Sequence, residues 1–111
     1  MLEKRNYIAL LKDFYGPLLT DKQQNILDLY YGDDLSLSEI AENLAISRQA
    51  VYDILKRAEQ VLEGYEQKLG LVKRFQDSRA RIKEIYNILD SKQFDRSSLK
   101  RIKEILESIS E

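Results

Sequence analysis

Helix punctuation at short intervals constrains this chain more than any other feature. Thr20-Asp21-Lys22-Gln23 and Ser36-Leu37-Ser38-Glu39 both fit a capping box, in which a hydroxyl and the third helical side chain satisfy each other's backbone N–H groups. Ser47 is a third N-cap candidate. Gly16-Pro17, Gly32-Asp33-Asp34 and Gly70 stand where the intervening helices would stop. Three starts and three stops within 70 residues divide that stretch into several helices that pack on one another.

The apolar spacing agrees. Tyr7, Leu10, Leu11, Phe14 and Leu18 recur at three and four residues and predict a first helix over 2–15 with that face inward. Ile26, Leu27, Leu29 and Tyr30 give the second helix its apolar face. A short helix follows from Ser36 to Leu44, then a longer one from Ser47 to about Lys68. Leu71, Val72, Phe75, Ile82, Ile85, Tyr86 and Leu89 suit a fifth helix, whose start is blurred by the polar stretch 76–81. Asp95 can cap a sixth, in which Leu99, Ile102, Leu106 and Ile109 form a short coiled-coil-like seam. Strand alternation, long repeats and low-complexity tracts are lacking. The fold class is all-α, about six helices, with a helix-turn-helix domain over 1–70 and a C-terminal helical extension over 71–111.

Residue types narrow the function. The 111 residues include no Cys and no His, so thiolate metal sites, thiol nucleophiles and the commonest neutral-pH base are missing. Asp33-Asp34 lacks the wider acidic cluster a metal needs, and Ser47 lacks a base and serves better as a cap. No Gly-rich phosphate loop occurs. The expectation is a protein that is not an enzyme and uses no cofactor or metal. No apolar run approaches the roughly 20 residues of a membrane span. The charged opening Met1-Leu2-Glu3-Lys4-Arg5 is unlike a signal peptide. A cytoplasmic location is expected.

Residues 36–58 carry the specific pattern of a helix-turn-helix. Ile40 and Ala41 fall on the inner face of its first helix, Leu44 and Ile46 flank the turn, and Val51 and Ile54 fall on the inner face of the second. Ala41 is small enough for two crossing helices to approach closely. Ala45 stands where a left-handed backbone favours Gly, at a cost of about 1 kcal/mol. The exposed face near the start of the second helix would enter the major groove, with Arg48, Gln49, Tyr52, Lys56 and Arg57 as the candidate nucleic-acid-binding residues beside Asp53. Tyr15, Tyr30 and Tyr31 are expected at the core or its rim with their hydroxyls in water.

Charge pulls the other way. Residues 1–70 carry 8 Lys+Arg and 12 Asp+Glu, a balance of −4, while residues 71–111 carry 10 and 7, a balance of +3. Beyond Arg57 come Glu59, Glu63 and Glu66, poor neighbours for a phosphate backbone. The basic residues of the back, Lys73, Arg74, Arg79, Arg81, Lys83, Lys100, Arg101 and Lys103, form an alternative surface for RNA or an acidic partner.

Over residues 20–62 the chain resembles region 4 of bacterial sigma factors, through Tyr31-Gly32, Leu37 to Ile40-Ala41, Ser47-Arg48, Val51, Ile54 and Lys56-Arg57-Ala58. Ala50 and Tyr52 depart from that pattern, which often has Arg there. Over nearly its full length it resembles the YlxM family of small Gram-positive proteins. Phe14-Tyr15-Gly16-Pro17-Leu18-Leu19-Thr20, Tyr30-Tyr31, Ser47-Arg48-Gln49-Ala50-Val51-Tyr52-Asp53 and Tyr65-Glu66-Gln67-Lys68-Leu69-Gly70-Leu71 carry that likeness. The resemblance implies a DNA-binding regulator linked to the signal recognition particle pathway by the placement of its gene. The partners expected are duplex DNA or signal recognition particle RNA, with signal recognition particle proteins. The alternative is an adaptor that contacts that particle's protein or RNA without binding DNA. The amphipathic tail adds the expectation of a homodimer.

Overall fold

In the computed structural model, which describes residues 2–110, six α-helices account for most of the chain. They are α1 (Leu2–Tyr15), α2 (Asp21–Leu27), α3 (Leu37–Leu44), α4 (Arg48–Leu69), α5 (Leu71–Leu89) and α6 (Arg96–Ser110). No strand occurs among the described residues. The helices divide into two compact units, one ending at Val72 and the other starting at Lys73.

The capping signals set the boundaries of the first unit. Thr20 and Gln23 exchange bonds of 3.2 and 3.1 Å, and Ser36 and Glu39 exchange two of 3.1 Å, so both capping boxes form. The bonds from Ser36 hold the Glu39 carboxyl below its usual value, the backbone N–H contributing most. Ser47 Oγ accepts from the Ala50 N–H at 3.0 Å and starts α4. Gly70, at φ +62°, ends it. Ala45 adopts φ 56°, the left-handed conformation expected of it, and closes α3.

Helices α1 to α4 and the first turn of α5 surround one core, built from Ile8, Leu11, Tyr15, Leu19, Ile26, Leu27, Ile40, Ala41, Val51, Leu55, Ala58, Leu62 and Val72. The buried line of α1 is therefore Ile8, Leu11 and Tyr15. Leu11 was expected there, but Phe14 and Leu18 lie exposed and Tyr7 and Leu10 sit only at the margin. The rotation follows from Tyr15, whose ring is buried and stacked 5.9 Å from that of Tyr65. In α4 the expected inner pair, Val51 and Ile54, becomes Val51 and Leu55, with Ile54 half-buried.

Two local features were not foreseen. After Leu27 the second helix widens into a π-helical turn, Asp28–Gly32, with Asp33 N–H bonded to the Asp28 carbonyl at 2.9 Å. Asp34 follows at φ 58°. Arg5 of α1 fastens this end. Its guanidinium donates to the Tyr30 carbonyl at 3.2 Å and to Asp34 Oδ1 at 2.8 Å, and lies 5.8 and 5.4 Å from the Tyr30 and Tyr31 ring centres. Lys12 pairs with Asp28 at the other end of the turn.

In the second unit α5 runs on from Val72, and α6 returns after a six-residue connection. Arg81 donates to the Ser108 carbonyl at 3.4 Å, and Arg101 bonds Glu84 at 3.0 Å, which fixes an antiparallel hairpin. Asp95 caps α6 by accepting from the Ser98 N–H at 3.1 Å. The Ser97 hydroxyl, then the Ser98 N–H, hold the Asp95 carboxyl below its usual value. The seam of α6 differs from expectation. Ile105 is the buried residue, flanked by half-buried Ile102 and Ile109, while Leu99 and Leu106 face solvent. Among the described residues no helix is long and apolar enough to cross a membrane.

Candidate nucleic-acid interface

The helix-turn-helix comprises α3, the turn Ala45-Ile46-Ser47 and α4. Ile40 and Ala41 are buried on α3 opposite Val51 and Leu55 on α4. Burying that face leaves a second stripe of α4 outside. Arg48, Gln49, Tyr52, Asp53 and Arg57 are exposed, and Lys56 lies half-buried at its edge.

The side chains on this stripe are not equivalent. Among the described residues, neither Arg48 nor Arg57 has an ion-pair or hydrogen-bond partner. Gln49 Nε2 donates to Asp53 Oδ1 at 3.0 Å, one turn along the helix. That bond occupies the amide that would read an adenine edge and points the one acid of the stripe along the helix. Lys56 Nζ lies 5.6 Å from the Tyr52 ring centre and 3.8 Å from Glu59. Tyr52 is 43% exposed, with its ring beside that ammonium.

The acidic run past Arg57 is engaged within the domain. Glu59, Glu63 and Glu66 recur at four and three residues, which turns all three to one side of α4. Glu59 is buried, accepts from Tyr31 Oη at 3.1 Å and pairs with Lys4 at 3.5 Å. Glu63 accepts from Tyr7 Oη at 3.3 Å, and Glu66 from Tyr15 Oη at 2.6 Å. These carboxylates hold the domain together through the tyrosines of α1 and of the π-helical turn, and Glu59 also meets Lys56 at the edge of the outer stripe. Burial, followed by the neighbouring glutamates, pushes the phenols of Tyr7 and Tyr31 up from their ordinary value. Burial does the same for Tyr15, whose hydroxyl also bonds Glu66. The hydroxyls of Tyr15 and Tyr31 are thus bonded inside the protein, contrary to the expectation that water would hold them. The sign of this in the sequence was the spacing of the glutamates, which matches that of Leu55 and Leu62.

The alternative basic surface belongs to the second unit. Arg81 and Arg101 hold the hairpin together, and Arg79 lies 5.7 Å from the Phe75 ring centre. Lys73, Arg74, Lys83, Lys100 and Lys103 are exposed. Both candidate surfaces thus exist as groups of side chains within single units.

Over residues 2–107 the sequence matches the family described as "Putative helix-turn-helix protein, YlxM / p13 like". The chain belongs to the YlxM/p13-like family. A UPF0122 protein of Thermoanaerobacter sp. is 52% identical over 108 residues, 95% of this chain and 92% of its own. One from Desulforamulus reducens is 58% identical over 83 residues, covering 75% and 71% of the two chains. One from Bacillus mycoides is 44% identical over 109 residues, covering 98% and 99%. The YlxM/p13-like likeness thus spans both units, the helix-turn-helix and the hairpin together.

Proposed function

We propose that this chain is a non-enzymatic, cytoplasmic regulator that binds duplex DNA through Arg48, Gln49, Tyr52, Lys56 and Arg57 and takes part in the signal recognition particle pathway. The inward turn of Glu59, Glu63 and Glu66 carries the DNA-binding part. With those carboxylates bonded to tyrosines, the outer stripe of α4 keeps Arg48 and Arg57 unpaired among the described residues, while Lys56 lies 3.8 Å from Glu59 and Asp53 is engaged by Gln49. A stripe with a local positive excess at the start of the second helix suits a major groove and its phosphates. The helix-turn-helix family supports the same reading. The pathway assignment rests on the YlxM likeness. Helix-turn-helix proteins commonly work as pairs that span two half-sites, and the reading includes two copies of this chain.

The test is anisotropy of labelled duplex DNA and of signal recognition particle RNA, titrated side by side with the protein at low and near-physiological salt. DNA binding that falls steeply with salt is expected. Arg48→Ala should lose about 1–3 kcal/mol on a site it reads. Arg57→Ala should weaken all sequences alike and reduce the salt slope by about one phosphate contact.

The second reading, an adaptor for the particle's RNA or protein, is favoured by the exposed Lys83, Lys100 and Lys103 on a unit with a balance of +3. RNA binding that survives Arg48→Ala and disappears when those lysines are replaced would select it.

A further inference from the structure

The second unit leaves an apolar face open. Ile82, Tyr86 and Leu89 on α5, Phe94 in the connection, and Leu99 and Leu106 on α6 are each at least 41% exposed. Ile82 and Leu89 are seven residues apart, as are Leu99 and Leu106, the period that keeps a stripe on one side of a helix packed in a bundle. Both stripes lie about a quarter-turn from the hairpin's own seam of Ile85, Ile88, Ile102 and Ile105, in the same rotational sense along the chain. Because α5 and α6 run antiparallel, that shared sense brings the two stripes to one face of the hairpin. A depression lined by Arg79, Ala80, Ile82, Lys83 and Tyr86 marks the face on α5.

We propose that a second copy of this hairpin covers the face, the two packing about a two-fold axis into a four-helix bundle. This deepens the paired-copy part of the proposed function and is independent of DNA binding. Size supports it. The six side chains leave roughly 500 Å² of apolar surface, the scale of the largest patches on monomers. Two such faces together remove roughly 1,000 Å² before any polar rim is counted, which reaches the range of a specific interface. The hairpin's own packing supports it as well, since among its described residues only Ile105 is fully buried, and two helices with so small a seam gain most from doubling their core. Each unit from Lys73 onward has a balance of +3. Two such units repel one another, so the bundle is apolar contact opposed by charge, and added salt tightens it.

Sedimentation equilibrium of the full chain without nucleic acid, at low and high salt, tests this. A dimer is expected at micromolar concentration, tighter at high salt. Ile82→Glu should loosen it by about a hundredfold or more, because both copies lose an apolar contact worth about tenfold each. Tyr86→Ser, a milder change at a side chain 63% exposed, should loosen it less while far-ultraviolet dichroism stays unchanged. A monomer at every concentration overturns the proposal. So does a dimer indifferent to both changes, which uses another surface. A dimer that loosens with salt also overturns it, in favour of attraction between the acidic first unit of one copy and the basic second unit of another. DNA binding by a monomer would leave the DNA reading intact while removing this one.

Discussion

Tyr15 Oη donates a 2.6 Å hydrogen bond to Glu66 Oε1 and accepts one of 3.0 Å from the Leu71 N–H. The same carboxylate oxygen accepts from the Val72 N–H at 3.0 Å. A hydroxyl on α1 and a carboxylate on α4 therefore supply the partners that the first N–H groups of α5 lack within their own helix. Charge-assisted bonds of this kind are the stronger ones in a protein.

Tyr15→Phe keeps the ring and removes the bridge. It leaves the Leu71 N–H without this acceptor and removes one of the bonds to Glu66 at a half-buried site, a cost of about 1–3 kcal/mol. Urea denaturation followed by dichroism measures it. Tyr52→Phe, at an exposed ring, should stay within about 0.5 kcal/mol. Equal effects from the two would remove the structural role given to the bridge.

Alkaline pH should unfold the first unit. The phenols of Tyr7, Tyr15 and Tyr31 are all raised above their ordinary 10.0 by burial, with the glutamates adding to it. Below that value both states hold the protons and the stabilisation is complete. Above it the unfolded chain ionises first and binds fewer protons than the folded one, so stability falls as pH rises through the folded values. Helix content and tyrosinate absorbance should change together. Tyr15→Phe should make the decline shallower, and helix content that ignores pH throughout the tyrosine range would contradict this.

The turn of the helix-turn-helix holds a left-handed alanine. Ala45→Gly should raise stability by up to about 1 kcal/mol, because glycine adopts φ 56° without a Cβ penalty. Ala45→Val should lower it. Thermal melts of the three proteins would rank them, and valine as stable as alanine would show that the turn carries no backbone strain.

Arg5 joins α1 to the far end of the π-helical turn through a carbonyl, a carboxylate and two rings. Arg5→Met should cost about 1 kcal/mol, the scale of a partly exposed ion pair with a cation–π contact. The loss should concentrate in faster amide exchange at residues 28–34. Arg5→Lys should restore little, since an ammonium lacks the fork that reaches Tyr30 and Asp34 together. Exchange that rises evenly over the whole unit would argue against a local clasp.

Much of this was legible in the sequence because caps and turn residues act locally. Thr20, Ser36, Ser47, Ala45, Gly70 and Asp95 each do what their own neighbours dictate. The face of α1 was less legible. Phe14 and Tyr15 are adjacent and both aromatic, and only tertiary packing decides which ring goes in. Ile54 and Leu55 pose the same choice. The partners of the α4 glutamates were not legible because composition counts charges without regard to direction, and the tyrosines that donate to them lie 28 to 56 positions away in the chain. In the tail, an apolar pattern at three and four residues fitted two faces at once, so the hairpin's own seam and its open face looked like one stripe.

The π-helical turn has a consequence for chain length. Its ring closes over five residues where an α turn closes over four, so Asp28–Gly32 stores one residue of slack between two tightly capped segments. Losing a single residue there would tighten the coil to ordinary pitch and leave Ile26 and Leu27 on one side, and Ser36 on the other, in their present registers. The same deletion within α4 would rotate everything beyond it by about 100° and carry Glu59 and Glu63 to the places of buried Ala58 and Leu62. The segment 28–32 is therefore where this domain can change its length and keep its shape.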